Sequence, residues 1–386
     1  MANRLPKAAA IVAALIAVPL GAGAATAAPV TKPTPSTIES ASEAKAFAKR
    51  LHERSTPRVS AKRAPQALAA AEMARLAGAD RYATSVAVSR ASYDDKQLLG
   101  GTVVVASGTD FPDALAGGPA AAGIGGPLLL VPASGKVPAS VMNEIVRLGV
   151  ESIVVMGGTG AVSEGIEDQL AAIDGVEFVD RLFGEDRFET AAFASYFTWQ
   201  FDESDPDAEP TPPSVVYVSS GKTFADALAG GAAGAIAGAP LLLTNPAGLP
   251  DVTSFALEDT NPTEVRILGG TGAVSGKVAT QIRAALPNTK ITRLGGADRF
   301  GTAALTSQNL GLPTRGAVMI ANGTTFPDAL SASTSSAVIG APLLLVKQNC
   351  QPAATRAEIM RLDASLVRAI GGAAVVSDAT LAGKAC

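Results

Sequence analysis

Short apolar runs alternate with stretches of helical spacing along most of this chain. TVVVASG at 102–108 is a β-branched run, FPDALAGGPAAAGI at 111–124 a small-residue helix, and PLLLVP at 127–132 a second apolar run. ASVMNEIVRLG at 139–149 carries an amphipathic period, SIVVMGG at 152–158 is a third strand, and SEGIEDQLAAI at 163–173 a third helix. VEFVDRL at 176–182 completes the set and leads into the helix DRFETAAFASYF at 186–197. Strands that are apolar throughout, rather than alternating with polar residues, are buried on both faces. Placed between helices, they predict a parallel sheet covered on both sides.

The pattern occurs three times. RLAGADRYAT at 75–84 returns as RLFGEDRFET at 181–190 and RLGGADRFGT at 293–302. SGTDFPDALAGG at 107–118 returns as SGKTFADALAGG at 220–231 and NGTTFPDALSAS at 322–333. GGPLLLV, GAPLLLT and GAPLLLV follow at 125–131, 238–244 and 340–346, then GGTGAVS, GGTGAVS and GGAAVVS at 157–163, 269–275 and 371–377. Copies lie 106 and 112 residues apart, so each is a small domain rather than a solenoid unit. The expected architecture is three tandem Rossmann-like α/β modules with parallel sheets, at 74–180, 181–292 and 293–386. Their small-residue helices pack closely, and three like units in one chain can close as a pseudo-threefold triangle. Residues 28–73 stand outside as a spacer with a helical segment, IESASEAKAFAKRLHERS, followed by a basic tract.

Composition refines this picture. Arg4 and Lys7 precede a charge-free stretch ending in Ala25-Thr26-Ala27, the pattern of a secretory signal covering 1–27; an uncleaved anchor is the competing reading. Later Ala/Gly-rich runs are broken by Gly and Pro and do not read as membrane spans. The net charge of −4 becomes −6 once Arg4 and Lys7 are removed, which argues against nucleic acid as a general partner. Cys350 and Cys386 are the only cysteines and, in a secreted chain, read most simply as a disulfide. The single histidine, His52, lies in the basic stretch before the modules and is expected to be solvent-exposed.

Because the copies repeat, a shared chemistry should recur in each. SGKTFADAL imitates the tail of a P-loop, but Val216 stands where its first Gly belongs, and Lys222 is Thr109 and Thr324 in the sister copies. GGTGAVS imitates a dinucleotide fingerprint with Asp180 as its ribose acid, yet the third copy carries Ala374 and Thr292 answers to Asp180. Ser163, Ser275 and Ser377 read better as helix N-caps. No catalytic constellation and no cofactor or metal site is expected, since a triad or zinc site would need His52. What recurs is Asp113, Asp226 and Asp328 in a helix's first turn, and the pairs Asp80-Arg81, Asp186-Arg187 and Asp298-Arg299. The arginines suit phosphate or carboxylate on a polymer. Equally, the acids of these pairs cap the helix while each Arg pairs with Asp113 or its equivalents. Aromatic residues make up 4% of the chain, which argues against sugar recognition on stacked aromatic platforms.

The block order RLxGxDR, FxDAL, PLLL and GGTGAVS, in triplicate over about 74–386, resembles the cell wall-binding repeat 2 family. The resemblance implies three Rossmann-like modules in a triangle, attached noncovalently to an anionic wall glycan. It also implies that the PLLL segments, at Pro127-Leu128, Pro240-Leu241 and Pro342-Leu343, lie near contacts between modules. The reading is a secreted, noncatalytic wall-anchoring protein of a Gram-positive bacterium. The alternatives are an α/β enzyme with a nucleotide site in one module and a regulatory partner of a wall hydrolase such as an amidase. Family members carry an effector domain beside the repeats, and here only the 28–73 segment takes that place.

Overall fold

A computed structural model describes residues 36–54, 75–98, 101–201, 208–325 and 327–386. The expected signal segment 1–27 and the tract at 55–74 lie outside the described residues. The chain begins with β1 (Ser36–Ile38), α1 (Ala41–Arg54), β2 (Arg75–Leu76) and α2 (Arg81–Arg90). The first copy continues with β3 (Thr102–Ser107), α3 (Pro112–Gly123), β4 (Leu128–Val131), α4 (Ala139–Leu148), β5 (Ser152–Met156), α5 (Glu164–Ala171) and β6 (Phe178–Leu182). The second comprises α6 (Arg187–Ser195), β7 (Val215–Ser220), α7 (Ala225–Ala237), β8 (Leu241–Thr244), α8 (Asp251–Thr260), β9 (Glu264–Leu268), α9 (Gly276–Ala285) and β10 (Lys290–Leu294). The third comprises α10 (Arg299–Asn309), β11 (Ala317–Asn322), α11 (Pro327–Leu330), α12 (Ala332–Ile339), β12 (Leu343–Val346), α13 (Ala353–Arg361), β13 (Leu366–Ile370) and α14 (Asp378–Leu381).

Three parallel sheets result, ordered β1-β6-β5-β3-β4, β10-β9-β7-β8 and β12-β11-β13-β2. The RLxGxDR block is therefore split. Its strand completes the preceding sheet and its helix covers the following one: β6 pairs with β5, whereas α6 packs on β8 and α8. Positions 181 and 293, expected as module boundaries, fall inside β6 and β10. The first block has no preceding module, and its strand β2 pairs instead with β13, Arg75 opposite Ala369 and Leu76 opposite Ile370. The start of the repeats is thus stitched to their end.

Both faces of each sheet are buried, but against different things. Val103, Val105, Leu129, Val131, Ile153 and Val155 face a core made by the first copy, with Val338 of α12 packed against it. The alternate residues Val104, Ala106, Leu128, Leu130, Val154 and Met156 face a cluster that also takes Leu241 and Leu243 from β8 and Leu343 and Leu345 from β12. A period of two thus divides each strand between a local core and a shared one. Helices α3, α7 and α12 all touch one another within that shared core. A Cβ built on Gly118 would lie 2.6 Å from the Cβ and Oγ of Ser333, and one on Gly231 would lie 3.3 Å from the same Oγ. Gly118, Gly231 and Ser333 occupy the same position of their copies, so one side chain fills the space that two glycines leave.

Residues 36–54, within the segment expected as a spacer, are part of the fold. β1 extends the first sheet beside β6, and α1 buries Ala44, Phe47, Ala48 and Leu51 in the shared core. Its seat is aromatic: Phe47 meets Phe197 at 5.8 Å, and Lys45 lies 4.4 Å over the Trp199 ring. His52, expected to be exposed, is 7% exposed, stacks on Phe201 at 4.4 Å and bonds through Nδ1 to the Ala48 carbonyl. The basic neighbourhood suggested solvent, but its apolar residues fall on one helical stripe, and His52 closes that stripe.

Candidate functional site

In each sheet the first strand of the copy is central. β3 lies between β4 and β5, β7 between β8 and β9, and β11 between β12 and β13. Successive connections therefore leave in opposite directions, and a crevice opens outside the carboxyl ends of the strands at this switch point. At β3 and β5 the crevice is a hollow of about 400 Å³, lined among others by Asp113, Gly158, Glu185, Arg187 and Thr190.

The recurring residues meet here, each set built from two copies. Asp113, at the start of α3, is hydrogen-bonded to Thr190 of α6 and faces Arg187. Asp226 has the same relation to Thr302 and Arg299, and Asp328 to Thr84 and Arg81. Each threonine also accepts from a backbone N–H of the glycine before its helix, Gly184, Gly296 or Gly78, at 3.1, 3.2 and 3.1 Å. The aspartate packs on a glycine that only glycine can supply. Gly157, Gly269 and Gly371 have φ of 97°, 90° and 101°, and a Cβ on any of them would collide with the carboxylate. Burial pushes the Asp113 carboxyl up to about 6, and Asp110 adds to this, against the opposing pull of Thr190 and Arg187. Burial likewise raises Asp226 and Asp328.

Asp80, Asp186 and Asp298 cap their helices, accepting from Ala83, from Phe188 and Glu189, and from Gly301. The arginines do not reach the aspartate of their own copy. Arg81 donates to the Gly108 carbonyl at 2.5 Å, Arg187 to Gly221 at 2.8 Å and Arg299 to Gly323 at 2.6 Å. Their cleft aspartate comes from the preceding copy, because the block is split between sheets. A second arginine that sequence reasoning passed over, at the end of the sheet's fourth strand, bonds the carbonyl of the positive-φ glycine. Arg181 reaches Gly157, Arg293 reaches Gly269 and Arg75 reaches Gly371. Arg181 is also paired with the buried Glu167. These arginines and the threonines stood in the RLxGxDRxxT block, so recurrence was the signal that could have found them.

Other sequence expectations resolve locally. The SGKT turn bonds Lys222 N–H to Ser220 Oγ and offers its Gly221 carbonyl to Arg187, while a Cβ on Gly221 would meet Phe188 at 2.6 Å. That is a packed turn, with a carbonyl where a phosphate cradle needs amides. Ser163, Ser275 and Ser377 all hold the N-cap position, but only Ser377 makes the side-chain cap bond, to Thr380 N–H. The strands that follow Pro127, Pro240 and Pro342 bury Leu128, Leu241 and Leu343 in the shared core; β8 touches α3, and β12 touches α7. The sulfurs of Cys350 and Cys386 are bonded, fastening the C-terminus beside the turn after β12. Among the described residues no helix is long and apolar enough to cross a membrane, and no group of three or more acids, histidines or cysteines is arranged to hold a metal.

The chain matches the family described as Cell wall binding domain 2 (CWB2) at 75–167, 181–279 and 293–381. It is 28% identical over 273 residues to N-acetylmuramoyl-L-alanine amidase LytC of Bacillus subtilis (strain 168), covering 71% of this chain and 50% of that protein. It is 27% identical over 282 residues to Amidase enhancer of the same organism, covering 73% and 36%. The chain thus spans half or less of the length of these relatives. Among solved structures, Cwp6 from Clostridium difficile superposes with a TM-score of 0.69 at 24% identity, over 80% of this chain and 46% of that one. Cwp8 from Clostridium difficile gives 0.68 at 26%, over 79% and 50%.

Proposed function

Because the chain belongs to the Cell wall binding domain 2 family through three copies spanning most of its length, we propose that it is a secreted, noncatalytic protein that attaches noncovalently to a glycan of a Gram-positive wall. The observation that carries this reading is the crevice at each switch point, where an aspartate of one copy meets a threonine and an arginine of the next. The same aspartate, threonine and arginine set at three switch points favours a repeating polymer over a single small molecule, because weak contacts multiply when their ligand groups are linked.

Anionic groups of that polymer suit the second and third crevices. There Thr223 and Thr325 replace Asp110, Ala297 and Ala79 replace Glu185, and the second copy adds the exposed Lys222. Arg299 and Arg81 supply the remaining donors for phosphate or carboxylate. The attraction is local, since the whole chain is negative.

The test is cosedimentation of the protein with purified walls, before and after secondary polymers are stripped, across a salt series. Binding should fall on stripping and weaken as salt rises. Arg299→Glu and Arg81→Glu should each reduce it with the circular dichroism spectrum unchanged, and Arg187→Glu, among more acids, should change it less. Failure to cosediment at any salt would remove the reading, and loss of the fold would assign the arginines to structure alone. A second reading, regulation of a wall hydrolase, draws on the likeness to Amidase enhancer. It predicts that added protein changes the rate at which a purified amidase digests walls.

A further inference from the structure

The first crevice differs from its sisters in one aromatic residue. Phe183 stands where the other copies have Gly295 and Ala77. It is half-buried, yet among the described residues it belongs to none of the hydrophobic clusters and is not packed against any of them. Its ring instead lies beside the glycine-rich turn: a Cβ on Gly158 would be 3.5 Å from Phe183 Cδ2, so only the absence of a side chain leaves that flank of the ring clear. An aromatic ring that adds nothing to a core, in a protein with few aromatics, calls for another partner.

Phe183 lines two hollows at once. One is the crevice of about 400 Å³, which Asp110, Asp113 and Glu185 also line. The other, of about 350 Å³, is walled by Thr37, Glu39 and Asp168, and the two share Thr159 as well as Phe183. The second hollow depends on β1, which has no counterpart in the other sheets, and the Phe183 N–H points at the Ile38 carbonyl 3.5 Å away. Arg187 bonds the Gly221 carbonyl just as Arg81 and Arg299 bond theirs, and Arg181 is held by Glu167 and Gly157; what sets this lining apart is Asp110 and Glu185, where the sister crevices carry threonine and alanine. The lining is therefore richer in carboxylates than that of the sister crevices.

We infer that Phe183 and the two hollows it joins form a sugar subsite, which takes a neutral or amine-bearing pyranose of the wall glycan rather than a phosphate. The C–H face of a pyranose is apolar and flat enough to lie on an aromatic ring, its hydroxyls donate to carboxylates, and an ammonium substituent would be attracted by both ring and acids. A phosphate would meet like charge on both sides of the ring. Thr37 and Glu39, from the stretch that reads in sequence as a spacer, thereby become one wall of the site.

This inference rests on the wall-binding reading, and the experiment separates them. Saturation-transfer NMR on the full chain would use methyl glucoside, glucosamine and N-acetylglucosamine as separate probes, with inorganic phosphate as competitor. At least one sugar should receive saturation from the protein's aromatic protons, undiminished by phosphate. Phe183→Ala should weaken that binding about tenfold and Phe183→Tyr should restore it. The thermal midpoint should not move in either variant, since the ring belongs to no core. No sugar signal, an unchanged signal in Phe183→Ala, or displacement by phosphate would overturn the inference. Wall cosedimentation without a Phe183-dependent sugar signal would remove this inference alone. Sugar binding through Phe183 without cosedimentation would remove the anchoring reading alone.

Discussion

Asp113 sits at a helix N-terminus, where a negative charge is favoured, yet its carboxyl is raised to about 6 because burial outweighs the donors that reach it. A folded-state value above that of the unfolded chain means that the native protein holds the proton more tightly. The associated stability is fully present below about pH 4, the ordinary range of an aspartate, and is lost as pH rises through about 6. Asp113→Asn keeps the acceptor for Thr190 and removes the ionisation. Its melting temperature should match the parent's near pH 4 and exceed it increasingly towards pH 7. A difference that is flat with pH, or that shrinks as pH rises, would contradict the assignment. At this scale the aspartates were legible in the sequence because they recur, whereas Phe183 was not, because a search for recurrence discards the singular residue.

Among the elements, the small-residue helices show most clearly why composition alone was insufficient. Gly117 and Gly118 are neighbours on α3, but a Cβ on Gly117 meets only ordinary contacts with Leu128 and Met156, at 3.5 and 3.6 Å, while one on Gly118 collides with Ser333 of α12. Gly117→Ala should therefore leave stability unchanged or raise it by about 0.5–1 kcal/mol, as removing a helical glycine does. Gly118→Ala should lower it by about 1–3 kcal/mol through overpacking. Ser333→Gly should recover much of that loss in the double variant, as expected of contacting residues. Additive effects, read from denaturant midpoints, would show that the two positions do not share one space. Ser333, at the position the other two copies give to glycine, is the side chain that those glycines accommodate.

The whole molecule is held together by an offset. Each repeat gives its first strand to the sheet before it and its helix to the sheet after it, so no copy is complete alone. β2, with two residues in register against β13, closes this series, whereas β6 and β10 each pair over five. Arg75 reinforces the short strand by bonding Gly371 and Asp378. On the same third copy, the bond between Cys350 and Cys386 closes a loop of 36 residues at the chain's end. Reduction, or the paired change Cys350→Ser with Cys386→Ser, should lower stability by about 4 kcal/mol on the loop-closure account. The loss should appear first as faster hydrogen exchange in α13 and β13. Uniform exchange across all three copies would instead show that the unit unfolds as one.

The amino-acid sequence by itself determined the element types, the parallel sheets and the triplication, because periodicity and turn residues act over a few neighbours and were stated three times. The nucleotide motifs read there as imitations, since their defining glycines and lysine vary between copies. Tertiary structure alone decided which copy's arginine and threonine face each aspartate, that residues 36–54 belong to the first sheet and the shared core, and that His52 is buried. Those outcomes depend on how strands are shared between sheets and how three helices meet. Such contacts span up to some three hundred residues, and no local spacing encodes them.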